Sequence, residues 1–393
     1  MNKMQVTLKL RVHGTDETIG ILHRTLAEYT SSFNRVCAKG WQKKRVNGIE
    51  LHHDTYAAER ANTLLPSQLV CSARVKATEA LLGTKTRERK GKKVSCPVSR
   101  HCSIRYDIRS ANIKLGQKAA TLASISGRQA VVLSVPPCHE TRIGWKVCSS
   151  DLCSDRKHRL WLHVVVESEL PPFQSNGKVV GIDLGVNRPA VTSTDKFLGS
   201  RQWKVIENRA FRLRRSLQAK GSKSAKRHLK RLSGRLGRFR RDCDHVLSKH
   251  IVGSVERGTT LALEDLTHIR TRVKVRKAQR RRLHSWSFNR LQSFIEYKAR
   301  LAGDEVAYGD PRYTSQKCSR CGSTDKRSRK TQSRFVCSHC GFSLDADLNA
   351  ARNIASNHLA AQATRLPGGL PVNQPIVADS VSCRKLPASA GSR

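Results

Sequence analysis

Polar and apolar residues alternate at the start of the chain. Met4, Val6, Leu8, Leu10 and Val12 share one side, and Gln5, Thr7, Lys9 and Arg11 the other. That period of two predicts a half-buried strand over 4–12. From about 15 to 85 the period lengthens to three and four, through Ile19, Leu22, Leu26 and Tyr29 and later Leu64, Leu69, Val70 and Val75, which predicts helices. Residues 85–93, KTRERKGKK, read as a basic loop. Strand patterns return between about 103 and 168. One is Ala130-Val131-Val132-Leu133; in another, Leu160, Leu162, Val164 and Val166 alternate with Trp161, His163, Val165 and Glu167. A strand, a helical insertion and then several strands predict a small β-barrel split by a helical domain.

Pro171, Pro172 and Asn176-Gly177 punctuate a boundary. Beyond it, Lys178-Val179-Val180-Gly181-Ile182 is a short apolar strand ending in Asp183, and Ala190-Val191-Thr192 is a second. A long polar helical stretch covers about 203–252, and the strand Thr260-Leu261-Ala262-Leu263 ends in Glu264. Residues 284–302 predict an amphipathic helix bearing Trp286, Phe288, Leu291, Ile295 and Tyr297. Strands alternating with helices indicate an α/β layer. After about 359 the prolines 367, 371, 375 and 387, with Gly and Ser between them, predict a mobile tail.

Composition sharpens this picture. Among 393 residues, 74 are Lys or Arg and 30 are Asp or Glu, a net charge of +44. Such a charge repels itself unless a polyanion neutralises it, which points to nucleic acid. No run of about 20 apolar residues is present, which excludes a membrane span. The alternating N-terminus is not a signal peptide, so a cytoplasmic protein is expected. Thirteen cysteines are an odd number, and four of them fall in two C-x-x-C pairs, so metal binding by those four fits better than disulfides. Cys138, Cys148 and Cys153 read as ordinary thiols.

Cys318-Ser-Arg-Cys321, fifteen residues and then Cys337-Ser-His-Cys340 is the spacing of a tetrahedral structural zinc site with two knuckles. Gly322 and Gly341 each follow a pair, where a tight turn is easiest with glycine. Arg320, Lys326, Arg327, Arg329, Lys330 and Arg334 make the module basic, and His339 reads as a surface side chain. Asp183 and Glu264 each end an apolar strand, and Asp345 and Asp347 open the helical run DADLNAARNIA. Acids on rigid strand ends suit divalent cations. Spacing alone leaves caps and surface acids equally open, with Asp345 a candidate N-cap.

Between Glu207 and Asp242 lie fourteen Lys or Arg and no acid, among them Arg214, Arg215, Lys226, Arg227, Lys230 and Arg231. Leu229, Leu232, Leu236 and Phe239 predict a core-facing stripe, leaving a basic face for a phosphate backbone. A second cluster, including Arg276, Arg280 and Arg281, runs from Arg270 to Arg282. No G-x-x-x-x-G-K-[ST] is present, and no two histidines stand at i, i+2, which argues against a P-loop motor and a His-x-His metal pair.

Together these residues resemble the TnpB (OrfB) family, transposon-encoded relatives of type V CRISPR effectors. The matching pieces are GIDLGVNRPAV, ALEDLTHIR, HSWSFNRLQSFIEYKA, DPRYTSQKCSRCG and FVCSHCGFSLDADLNAARNIAS, in order along most of 177–356. LPSQLVCSARVKATEALL matches more loosely. The resemblance implies an RNA-guided DNA endonuclease of mixed α/β fold, cutting beside a short transposon-adjacent motif. Its RNase H-like (RuvC) nuclease would comprise 171–310 and 342–358, with a zinc ribbon at 311–341. A wedge β-barrel would comprise 1–14 and 103–170, with a helical recognition insertion at 15–102 and a flexible tail at 359–393. It further implies Asp183, Glu264 and Asp347 as catalytic acids holding two Mg2+, with Asp345 the second choice for the third acid. One structural Zn2+ at Cys318, Cys321, Cys337 and Cys340, a guide RNA and a double-stranded DNA target complete the expectation. Alternatives are a miniature type V CRISPR effector and a nuclease-silent, RNA-guided repressor.

Overall fold

The first strand, β1 (Lys3–His13), places Leu8, Leu10 and Val12 in the interior through its period of two. The computed structural model describes residues 3–44, 47–267, 269, 283–284 and 286–364. Within it the chain divides into two compact units, 1–170 and 171–393.

In the first unit, β1 is followed by α1 (Asp16–Gln42), α2 (Gly48–Asn62) and α3 (Ser67–Arg89). Thr15 caps α1 by accepting from the Thr18 N–H, and Asp16 and Glu17 sit in its first turn, where the helix dipole favours acids. Then come β2 (Ile104–Tyr106), β3 (Ala111–Lys114), β4 (Ala119–Ser124), β5 (Gly127–Ser134), β6 (Lys146–Ser154) and β7 (Leu160–Glu169). They form one antiparallel sheet with β1, in the order β2-β6-β7-β1-β5-β4-β3. β1 pairs with β7 from Lys3↔Glu169 to Arg11↔Trp161 and with β5 at Arg11–His13. The sheet nearly closes: the Tyr106 hydroxyl on edge strand β2 donates to the Ala123 carbonyl of β4, at 2.9 Å. One core joins the sheet (Leu8, Leu133, Leu162, Val164) to the helices (Tyr29, Phe33, Leu69, Ala73).

Two expectations change here, and a third gains its boundaries. Residues 85–89 complete α3, so the basic loop begins at Lys90. Leu64 is 72% exposed in the turn between α2 and α3, and its neighbour Leu65 is the buried one. The wide helical stretch is three helices, broken between 42 and 48 and again at Pro66, which lacks the N–H a helix interior needs.

The second unit holds β8 (Val179–Asp183), β9 (Ala190–Thr192), β10 (Phe197–Leu198), α4 (Arg201–Lys220) and α5 (Lys223–Val252). These are followed by β11 (Thr260–Glu264), α6 (Phe288–Ala302), β12 (Glu305–Gly309), β13 (Arg334–Val336), β14 (Ser343–Asp345) and α7 (Ala346–Ala363). The main sheet runs β10-β9-β8-β11-β12. β8, β11 and β12 are parallel, so their C-terminal ends share one edge; β9 and β10 are antiparallel. Val180 and Ile182 face a core with Leu247 and Ile251 of α5 and Leu291 and Ile295 of α6. Gly181 faces the other way, onto α7. A Cβ there would lie 2.1 Å from the Ala351 carbonyl oxygen, so only glycine lets the helix backbone come this close.

The polar stretch at 203–252 is a hairpin of two helices. Gly221, at φ 64°, ends α4 in the left-handed conformation, and Ser222 caps α5 by accepting from the Ala225 N–H. The expected core-facing stripe is only half-buried: Leu229, Leu232, Leu236 and Phe239 are intermediate, and the core-packed part of α5 begins at Cys243. The amphipathic helix starts at Phe288, so Trp286 precedes it. Residues 359–363 belong to α7 and not to a tail, while 365–393 lie outside the described residues. Among the described residues, no helix is long and apolar enough to cross a membrane.

Candidate active site

The parallel pairing of β8 and β11 puts two strand-ending acids, Asp183 and Glu264, on the same edge of the sheet. Asp347 arrives from α7, whose path is set by the close contact at Gly181. All three line one cavity of about 580 Å³, together with Arg188, Asp310, Thr314 and Arg329. Burial, then Glu264 and Asp347, push the Asp183 carboxyl up to about 8. Burial also raises Glu264, against a hydrogen bond from Thr314, and Asp347, with Asp345 adding to the shift. Like charges forced together out of water favour the protonated form.

Several neighbours fix these carboxylates. The buried Thr314 hydroxyl donates to Glu264 Oε1 at 2.6 Å. Asp345 is the N-cap of α7 and accepts from the Asp347 and Leu348 N–H groups at 3.0 and 3.4 Å. The Arg188 guanidinium donates to Asp345 and lies 3.6 Å from Asp347; Arg329 lies 3.8 Å from the other Asp347 oxygen. Asp345 is therefore occupied by capping and by Arg188, whereas Asp347 lines the cavity.

The second cluster is in the ribbon. The sulfurs of Cys318, Cys321, Cys337 and Cys340 all lie within 4.8 Å of one another, and no other such group exists among the described residues. Gly322 and Gly341, at φ 75° and 70°, close the two knuckles with N–H donors to the Cys318 and Cys337 carbonyls. The Cys340 N–H points at the Cys337 sulfur, 3.4 Å away. That bond lowers the Cys337 thiol to about 6, while at Cys321 a backbone hydrogen bond from Ser323 is outweighed by burial and the neighbouring sulfurs, which push it up to about 12, so the cluster shares its protons unevenly. His339 is exposed. Cys138 and Cys148 are exposed and Cys153 is half-buried, outside any metal-type cluster.

Asn349 and Asn353 bind the ribbon to α7. Asn349 donates to the Lys317 carbonyl and accepts from the Ser319 N–H, and Asn353 donates to the Thr314 and Lys317 carbonyls. Both amides are fully buried, where an unmet group costs about 1–3 kcal/mol. The same segment carries Thr314, so one network sets both the ribbon and the orientation of Glu264. The sequence reading assigned no role to Thr314, Arg188, Asn349 or Asn353. Their signal was present, since each lies inside a quoted motif.

The named cations of the hairpin are exposed: Arg214 and Arg215 on α4, and Lys226, Arg227, Lys230 and Arg231 on α5. Arg276, Arg280 and Arg281 lie outside the described residues.

A mixed α/β unit with strand-end carboxylates and a four-cysteine ribbon is the type of protein to which known sequences and structures also point. Residues 163–270 match a family model of OrfB type described as a probable transposase, and 288–354 match the Cas12f1-like TNB domain. The chain is thus similar to OrfB-type proteins and to Cas12f effectors, as its motifs implied. It is 34% identical over 220 residues to the CRISPR-associated endodeoxyribonuclease Cas12f1 of Sulfoacidibacillus thermotolerans, covering 51% of each chain. It is 27% identical over 236 residues to the putative RNA-guided DNA endonuclease InsQ of Escherichia coli, covering 54% of this chain and 58% of that one. The chain spans about half the length of the curated relatives it matches. Among solved structures, it shares the fold of Cas12f1 from a complex with sgRNA and target DNA. The TM-score is 0.62 at 14% identity, over 90% of this chain and 99% of that one.

Proposed function

We propose that this chain is an RNA-guided DNA endonuclease whose cutting centre is Asp183, Glu264 and Asp347. The observation that carries the reading is the convergence of these three carboxylates, from distant segments, on one cavity. Burying Asp183 beside two further carboxylates is costly unless cations offset it. Three parallel strands presenting acids at one edge support an RNase H-like (RuvC) assignment for the second unit. The ribbon sits between its last two segments. The nearly closed sheet and inserted helices of the first unit suit a wedge barrel and a recognition domain.

Asp183, Glu264 and Asp347 suit divalent cations as three carboxylates on rigid elements around one cavity, with Glu264 and Asp347 raising the proton affinity of Asp183, although their oxygens do not converge as tightly as the four sulfurs. They would hold two Mg2+, which when bound activate a water and stabilise the leaving oxygen of a phosphodiester. The chain's own groups do the positioning. Thr314 orients Glu264, Asp345 fixes the turn bearing Asp347, and Arg188 and Arg329 supply positive charge at the rim for a phosphate backbone. The four cysteines fit one Zn2+ in a closed, structural site.

Two partners follow from the charge. The exposed hairpin cations present a face to a polyanion, and the Cas12f1 relative solved with sgRNA and target DNA supports a guide RNA and a DNA duplex in those roles. Base pairing would read sequence while the protein reads backbone shape and a short adjacent motif. The TNB-domain match and the Cas12f1 likeness favour one variant of this reading, with the guide drawn from a CRISPR array and not a transposon end. Sequencing the RNA that copurifies with the protein decides between them.

The test is cleavage of a plasmid library with randomised flanks. The protein with its copurified RNA is expected to cut beside one motif and to follow changes in the guide. Equal cutting by ribonuclease-treated protein would refute RNA guidance, and guide-directed binding without any cutting would leave the repressor reading.

A further inference from the structure

One arginine engages both acids at the start of α7. Asp345 divides its carboxylate between two tasks: Oδ1 accepts from the Asp347 and Leu348 N–H groups, and Oδ2 accepts from the Arg188 guanidinium. That anchor leaves the guanidinium 3.6 Å from Asp347 Oδ2, while Arg329 lies 3.8 Å from Asp347 Oδ1. Both oxygens of Asp347 thus face a positive charge. Glu264 is met instead by the neutral Thr314 hydroxyl.

The loop between β8 and β9 holds Arg188 in this place. A Cβ on Gly185 would lie 2.7 Å from the Arg188 carbonyl oxygen, so the loop folds back on itself because glycine stands there. Pro189 restricts the Arg188 backbone from the other side. The proline ring packs against Gly199, where a Cβ would lie 2.6 Å from its Cγ. The guanidinium also lies 5.0 Å from the Phe197 ring centre, a cation–π contact. The Arg188 side chain is 39% exposed, which leaves it open to an anion.

We propose that Arg188 guards Asp347: in the cation-free protein it competes with a divalent cation for this carboxylate and so sets how tightly the site loads. The proposal rests on the nuclease reading. A guanidinium and a divalent cation about 4 Å apart repel, so each weakens the other's hold on the same acid. A phosphodiester that draws the guanidinium away relieves the repulsion. Cation and substrate therefore favour each other, and by linkage the effect is reciprocal. Arg188 acts through Asp347, as a positioning residue, and Asp345 is its anchor.

The test titrates Mn2+ into the full chain after ribonuclease treatment and follows the melting temperature. RNA is removed because its phosphates also gather cations. Asp183→Asn is the blank for Mn2+ bound elsewhere. Wild type is expected to gain stability that the blank does not. Arg188→Gln should reach half of that gain at roughly tenfold less Mn2+, because one positive charge has left the carboxylate. Arg188→Lys keeps the charge and should stay close to the wild-type midpoint. In guided cleavage, Arg188→Gln should need less Mn2+ for its half-maximal rate yet reach a lower ceiling, since the phosphate has lost a cation. A residue that merely kept the loop folded would not lower the Mn2+ requirement.

A midpoint for Arg188→Gln equal to or above that of wild type would overturn the proposal and leave the nuclease reading intact. A wild-type melting temperature that Mn2+ raises no more than in Asp183→Asn would instead refute the cation site and the nuclease reading with it. Should Arg188→Gln fail to fold, Arg188→Met removes the same charge while keeping the stem beside Phe197, and the same midpoints decide.

Discussion

The cysteine cluster and the carboxylate cluster lie in the same unit, yet they are assembled by opposite routes. Each cysteine pair is three residues apart, and a glycine knuckle turns its sulfurs inward, so local sequence does most of the work. The carboxylates meet only because β8 and β11 run parallel and α7 presses against Gly181. The outcomes differ in kind as well. The cysteines enclose a space that four sulfurs can fill, which suits a structural ion. The carboxylates line a cavity with room for a substrate, and burial raises their proton affinity, which suits exchangeable cations and chemistry. The two are coupled through Asn349 and Asn353, so the ribbon also steadies the acid site.

The comparison can be broken at its strongest point first. Asp183→Asn, Glu264→Gln and Asp347→Asn are each expected to lower cleavage roughly 10³–10⁴-fold, non-additively, because the three act as a unit. Guide-dependent target binding, measured by gel shift, should survive. Asp345→Ala removes a helix cap worth about 1 kcal/mol and should be milder. The reverse ranking of Asp345 and Asp347 would reassign the third acid.

The next pair separates the routes of assembly. Gly181→Ala puts a Cβ into the α7 backbone and should cost about 1–3 kcal/mol by overpacking. It should abolish most cleavage while elemental analysis still finds about one zinc per chain. Cys337→Ser should do the opposite to the metal, lowering zinc content, and should also reduce solubility because metal binding is coupled to folding. Full zinc occupancy in a Cys318/Cys337 double mutant would exclude this ligand set.

A smaller effect is expected from pH in the absence of divalent cations. The folded Asp183 carboxyl titrates near about 8, against 3.8 for a free one, so the folded state holds the proton more tightly. Stability from this group is fully present below pH 3.8 and is lost as pH rises through about 8. The melting temperature of cation-free protein should therefore fall across that window, and Asp183→Asn should flatten the fall. A curve in wild type that rises with pH over the same range would contradict the crowding described here.

The smallest effects belong to the hairpin. Arg227→Ala or Lys230→Ala alone should weaken RNA binding slightly, with the slope of log K against log salt reduced by roughly 0.7–0.9 for each phosphate that is no longer neutralised. Neither should change which target is cut.

The sequence by itself determined everything whose cause is local. Alternation over 4–12 and 160–166 specified the two long paired strands, since a period of two has one solution on a half-buried sheet. The C-x-x-C spacing and its glycines specified the ribbon. The charge excess between Glu207 and Asp242 specified an exposed basic face. The motifs were enough to point to the proteins the chain is similar to.

Only the tertiary structure decided the rest. Asp183 and Asp347 could have been caps or surface acids until one sheet edge and one helix brought them to the same cavity. Asp345 and Asp347 are two residues apart and of the same residue type, and capping geometry separates their surroundings. Thr314 became visible only when its hydroxyl was found on Glu264, because no periodicity marks a hydrogen bond between segments fifty residues apart. The apolar stripe at Leu229–Phe239 had a helical period, but a period does not say whether its partner is a core or a second helix of a hairpin. Long-range contacts carry no local signal. They arise from which elements the chain can pack together, and in this protein Gly181 is the residue that permits the decisive one.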